Sequence, residues 1–266
     1  MLSKRSKDMD IKKKFIEIHY CFKSEKQKHE IFELRLDSQT LEMVNKSSED
    51  LPAWTRLDFH QCPHCPLNTH SHPYCPVALS LVDVVKRFDN VLSYDQIDLE
   101  VITAERRVSQ HTTVQKGISS LLGLLFPTSG CPRTAFFRPM VRFHLPMATQ
   151  QDTIFRATGM YMLAQYFLRK EGRRGDFELH GLTQIYNNLH LLNIKIAERL
   201  RSAAQTDSSI NAISSLDVFT YTLTFSIEDQ LEEIRHLFTP YFSDSYRHII
   251  KASDELNGSA KNKKDT

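Results

Sequence analysis

Apolar residues fall at every second position in two early stretches, Ile16, Ile18, Tyr20 and Phe22, then Phe32, Leu34 and Leu36. A period of two places side chains on one face of a strand, so residues 15–22 and 31–36 are expected as strands joined by the polar run 23–28. A third short strand is expected at 40–44, completing an antiparallel meander. Ile97, Leu99 and Val101 restart the alternation as a strand that returns to the same sheet. Between them, Val77, Leu81, Val84, Val85 and Phe88 share one helical stripe, which predicts a helix over 76–88.

From about Thr113 the period changes to helical. The apolar run 114–126 predicts a helix stopped by Pro127, and 152–169 a widely buried one ended by Gly172 and Gly175. Leu182, Ile185, Leu189, Leu192, Ile196 and Leu200 mark a long amphipathic helix. Two more are expected at 208–225 and 226–238, the second opened by a Ser226-x-x-Asp229 capping box. The polar tail 257–266 is expected to fray. The fold class is therefore α+β, with a small N-terminal antiparallel sheet, one helix packed on it, a cysteine-rich loop and a mostly α-helical C-terminal half. The expected division is 1–110 for the sheet and cysteine loop, 111–256 for the helical region packed on it, and 257–266 for the tail.

Composition removes several classes. A chain of 266 residues that is 41% hydrophobic and 25% charged holds enough apolar material for a real core. A net charge of +2 makes nucleic acid an unlikely partner, although nine Lys/Arg among the first 28 residues form a basic leader, expected as a solvated segment. The eight glycines form no G-x-G-x-x-G and no G-x-x-x-x-G-K-[ST]; G-x-S-x-G and H-E-x-x-H are missing too. No membrane span and no secretory signal are expected, which points to the cytosol, where thiols stay reduced.

The specific chemistry lies in cysteine. Cys62-Pro63-His64-Cys65-Pro66 is followed by Cys75-Pro76 and later by Ser129-Gly130-Cys131-Pro132, so four of the five cysteines precede a proline. Proline fixes the backbone beside each thiol. C-x2-C lets two thiolates converge on one ion, and two further cysteines complete a tetrahedral set, which zinc or an iron–sulfur cluster would fit. Two other readings compete. Cys62-Pro63-His64-Cys65 is also the active-site tetrapeptide of some thioredoxin-like oxidases, but no apolar helical stripe follows it here. The other is a set of reduced cysteines without metal. His64, His70 and His72 are near enough in sequence to replace Cys131 as ligands.

After Cys131 comes a basic segment broken by Pro132, Pro139 and Pro146 and holding Arg133, Arg138, Arg142 and His144. The prolines argue against a regular helix. If the piece is extended, Arg142 and His144 project from one side while Val141, Phe143 and Leu145 bury themselves. Such cations either form an anion pocket or hydrogen-bond to the thiolates, or they pair with acids such as Glu105, Asp152 or Glu178. Asp152 and Arg156 are spaced as an i,i+4 helix pair.

The block Cys62-Pro63-His64-Cys65-Pro66-Leu67 … Cys75-Pro76, then Ser129-Gly130-Cys131-Pro132, then Arg142-Phe143-His144-Leu145-Pro146, resembles an uncharacterised bacterial domain-of-unknown-function family over roughly residues 15–223. The resemblance implies a bacterial cytosolic protein and no activity. Taken together, the expectation is a metal-stabilised binding or regulatory protein. Cys62, Cys65, Cys75 and Cys131 would hold zinc or an iron–sulfur cluster, and Arg138, Arg142 and His144 would meet a ligand or the thiolates. Its partner would be a small molecule or another protein. The rival is a metal-dependent enzyme acting on an anionic small molecule, with Arg142 binding it and His144 as acid or base.

Overall fold

The computed structural model describes residues 14–24, 29–44, 51–203, 207–246 and 248, with backbone alone at 215, 216 and 218–226. The basic leader before residue 14, most of the connection 23–28, the run 45–50 and the tail 257–266 lie outside the described residues. The chain forms two compact units, Met1–Phe225 and Ser226–Thr266.

The first unit is built on a four-stranded antiparallel sheet of order β2-β1-β3-β4, with β1 Phe15–Lys23, β2 Glu30–Asp37, β3 Gln96–Ile102 and β4 Arg107–Thr113. Tyr20 stands opposite Phe32 on one side and Val101 on the other, which puts the alternating apolar residues of three strands on a single face. Ile18, Tyr20, Phe22, Leu34, Leu36 and Leu99 are all buried there. Two helices cover that face. α1 (Pro76–Phe88) brings Phe88 to 5.0 Å from the Phe22 ring, and α2 (Val114–Thr128) sets Gly117 over Phe22.

The sheet is thus α+β as expected, but two strands differ from the sequence reading. Residues 40–44 form no strand. The Asp37 carboxylate accepts the backbone N–H groups of Gln39 and Thr40 at 2.8 and 2.9 Å, turning the chain so that only Leu36 and Met43 form a bridge. The fourth strand is β4, whose inward positions Val108, Gln110 and Thr112 are too polar to reveal themselves by period.

Two prolines also behave differently from expectation. Pro127 lies inside the last turn of α2 rather than stopping it. The helix end survives because hydroxyls take its last carbonyls: Thr128 Oγ1 donates to Leu124 at 2.9 Å, and Ser129 Oγ and Thr134 Oγ1 donate to Phe126 at 2.7 and 2.6 Å. The segment after Cys131 is helical, not extended. A 3-10 turn, Ala135–Phe137, runs into α3, Arg138–Arg142. Pro139 occupies its first turn, where a missing N–H costs nothing.

α4 (Gln150–Lys170) is not widely buried: it buries Ile154, Ala157, Tyr161 and Gln165 and leaves Phe155, Leu163, Tyr166 and Phe167 exposed, whereas α5 (His180–Arg201) follows its predicted stripe. α6 spans Ser208–Ile234 without a new start at Ser226. Asp152 closes a capping box with Thr149 instead of pairing with Arg156. In the second unit, the 3-10 stretch Arg235–Phe242 follows α6, with Arg235 stacked 5.3 Å over the Phe242 ring. Among the described residues no helix is long and apolar enough to cross a membrane.

Candidate functional site

Two places carry chemistry. At the first, residues 52–57 run beside 73–75. Leu57 N donates to Pro73 O at 2.9 Å, and Cys75 N to Thr55 O at 2.8 Å. Cys75 thereby becomes the residue that opens α1, with Pro76 as the first helical position. Cys65 N closes the C-x2-C turn onto Cys62 O at 3.0 Å. From the other side, Cys131 sits in the turn after α2, its N–H held by Ser129 Oγ at 3.2 Å.

All the cysteines are free thiols, and Cys75 and Cys131 are buried. The four Cys-Pro thiols lie within one another's electrostatic reach. Burial pushes Cys62 up to about 12, and the Cys75, Cys65 and Cys131 thiols add to the rise. Burial also raises Cys75, against the pull of Arg199 and of the Ala78 and Val77 amides, and raises Cys131, against the Arg133 amide. Cys21 sits apart on β1, where it meets Glu100 and Lys23. Among the described residues no group of three or more His, Cys, Asp or Glu is placed so that it could hold a metal ion. His70 and His72 are exposed.

The residue that sequence reasoning missed here is Arg199. It rises from α5 with 1% of its surface exposed and donates to the carbonyls of Trp54, Arg56 and Leu57 at 2.8, 2.6 and 3.1 Å. Its Nε has no hydrogen-bond partner among the described residues. Burial lowers its pKa, and against that Cys75, Cys62, Cys65 and Asp58, an exposed carboxylate paired with Arg56, favour its charge. One signal was available: Arg199 lies three residues after Ile196, on the apolar stripe of its helix.

The second place is a cavity of about 610 Å³ walled by β4, α2, α3, the loop after it, α4 and α5. His144 lies in its wall. The imidazole Nε2 is 2.5 Å from Tyr20 Oη, which is also 3.0 Å from Ser120 Oγ, and Ser120 Oγ accepts the Met147 N–H at 3.0 Å. Burial, with the Arg156 charge adding, holds His144 down to about 3, so the ring is neutral at physiological pH and shares a hydrogen bond with the tyrosine hydroxyl. Burial raises Tyr20 as well. A histidine so depressed and a phenol so raised offer hydrogen bonds and shape rather than a proton at neutral pH. Arg156 Nη2 donates to the carbonyls of Met140 and Phe143 at 2.8 and 2.9 Å, clamping the end of α3 at the cavity wall.

The remaining predicted residues separate. Arg138 pairs with Glu42 at 2.6 Å and donates to Pro127 O. Arg142 is exposed, 5.7 Å over the Phe143 ring, and does not line the cavity. The helical turn of α3 carries it away from His144. Arg133 grips the carbonyl of His64 and so ties the C-x2-C turn to the segment after Cys131.

The family model for a domain of unknown function, DUF6901, matches residues 18–239. The chain belongs to that family. The DUF6901 match takes in both the cysteine turns and the cavity. No curated protein and no solved structure matches the chain.

Proposed function

We propose that this is a cytosolic binding or regulatory protein whose fold is stabilised by a metal centre on Cys62, Cys65, Cys75 and Cys131, taken up as zinc or an iron–sulfur cluster. The observation that carries the reading is Arg199. A buried guanidinium is nearly always matched by a buried negative charge, because leaving it alone in a low dielectric is expensive. Burial is the largest influence on Arg199 and lowers its pKa, while the thiols of Cys75, Cys62 and Cys65 and the Asp58 carboxylate work the other way. Neutral thiols give Arg199 nothing; four thiolates around a metal give it a net anionic neighbour. The metal supplies folding free energy by joining the loop at 62–75 to a turn 56 residues further on (131 − 75).

The enzyme alternative needs Arg142 and His144 at one anion site, and Arg142 lies outside the cavity that holds His144. Binding is therefore the preferred role. Elemental analysis and an absorption spectrum of freshly purified protein test the reading. One bound zinc, or iron with visible charge-transfer bands, is the expected result. Cys131→Ala should lose metal and melt lower, while His144→Ala should keep it. A stable wild-type protein free of both metals would overturn the proposal.

A further inference from the structure

The two glycines inside α2 have opposite surroundings. A Cβ at Gly117 would come within 2.8 Å of the Phe22 ring, so packing demands glycine there. At Gly123 nothing lies within 4 Å of the Cβ position. Neither packing nor a positive φ calls for glycine at 123, and inside a helix it is unfavourable relative to alanine. What the missing side chain does leave is room: Gly123 is part of the cavity wall.

The rest of that wall is amphipathic in a particular sense. Leu122, Phe126, Phe137, Met140 and Leu189 supply apolar surface, and the volume of about 610 Å³ suits a small organic molecule. The charges that line it are Lys116 and Arg156; no Asp or Glu lines it among the described residues. Lys116 is exposed and has no ion-pair partner among the described residues, and Arg156 spends only Nη2 on the α3 carbonyls. The inward-facing side of β4 is polar here, because Gln110 and Thr112 face this space rather than a hydrophobic core. Two cations that form no salt bridge among the described residues, hydroxyl and amide side chains and an apolar floor together describe a site for a molecule with an anionic head and an apolar body.

We propose that the cavity binds a small amphipathic anion, its head drawn to Lys116 and Arg156 and its apolar body lying along Gly123, Phe126 and Leu189. The inference rests on the binding half of the proposed function and not on the thiolate centre. It gives Gly123 a reason that packing does not.

The probe is 1-anilinonaphthalene-8-sulfonate, an aromatic anion whose fluorescence rises in apolar surroundings, titrated into the full chain under native conditions. Saturable binding, displaced by decanoate and much less by decanol, is expected. Gly123→Phe should abolish it with an unchanged or higher melting temperature, since the new ring occupies the ligand's space. Lys116→Ala, at an exposed position that leaves the fold alone, should weaken decanoate roughly threefold or more, the scale of one partly exposed charge pair, and leave decanol unchanged. No saturable binding, equal displacement by decanol, or wild-type affinity in a folded Gly123→Phe would each overturn the proposal. Should Gly123→Phe fail to fold, Gly123→Val with the Lys116→Ala comparison decides it. Metal content is assayed on the same preparations, so a cavity that stays empty in metal-loaded protein counts against the ligand and not against the thiolate centre.

Discussion

Arg133 donates to the carbonyl oxygen of His64 from both Nε and Nη2, at 2.8 and 2.6 Å. This paired contact fastens the turn between Cys62 and Cys65 to the residue two positions after Cys131. Two charge-assisted bonds at a half-buried site are worth about 1–2 kcal/mol together. Arg133→Met, which keeps the aliphatic stem, should lower the denaturation free energy by that amount and, in protein loaded at the proposed thiolate centre, speed metal loss to a chelator. A variant with the wild-type denaturant midpoint would show the contact to be incidental.

Arg199 is a stricter case. Truncation to Leu leaves the carbonyls of Trp54, Arg56 and Leu57 without this donor at a partly buried site. The expected cost is about 3–5 kcal/mol, the scale for breaking a buried charged network. Lysine should not rescue it, because one ammonium on a flexible stem does not reproduce the planar fork. Thermal unfolding of Arg199→Leu and Arg199→Lys checks both statements; a lysine variant as stable as wild type would refute the second.

His144 makes stability depend on pH with a definite sign. In the unfolded chain the imidazole protonates near 6.5, whereas burial beside Arg156 and Tyr20 holds it at about 3 in the fold. Between those values the unfolded state carries the extra proton. Stability from this group is complete above pH 6.5 and is lost as pH falls toward 3, at up to about 1.4 kcal/mol per unit. His144→Gln keeps a hydrogen-bonding group for Tyr20 and removes the titration. Urea midpoints of wild type and variant, measured from neutral to acidic pH, should therefore converge or cross; parallel curves would mean that His144 is not buried neutral.

The paired glycines of α2 predict opposite outcomes for one substitution. Gly117→Ala should destabilise by about 1–3 kcal/mol, because its Cβ meets Phe22 at 2.8 Å and Ile97 at 3.0 Å in a filled core. Gly123→Ala should stabilise by up to about 1 kcal/mol, the gain in helix propensity with no clash to offset it. Melting temperatures of the two single variants settle the comparison.

Hydrophobic period was a sound guide wherever a strand or helix faced a core. Ile18, Tyr20, Phe32, Leu34, Leu99 and Val101 announce their strands because their neighbours are apolar helices. β4 was silent for the converse reason, since Gln110 and Thr112 face a cavity. Proline misled twice, at 127 and 139, because its cost depends on where in a helix it falls, and both sit in a terminal turn. The Cys-Pro spacing picked out four thiols that the fold brings within electrostatic reach of one another. Arg199 and the cavity were not legible, for they exist only once α5 meets residues 54–57 and five other segments close around His144.

The central pairing of the sheet has a further consequence. Tyr20 and Val101 face each other across the β1–β3 ladder but lie 81 residues apart in the chain (101 − 20), with the turn at Cys62–Cys65, Cys75 and all of α1 looped out between them. Closing so long a loop costs entropy before any contact repays it. The β1–β2 and β3–β4 hairpins can each form early, but they join into one sheet only after the intervening segment has condensed. The speed of refolding is therefore expected to depend on residues 51–95 more than on either hairpin. Loosening the cysteine turns should slow the approach to the native state in stopped-flow measurements, while substitutions on the outer hairpin positions act chiefly on the rate of unfolding.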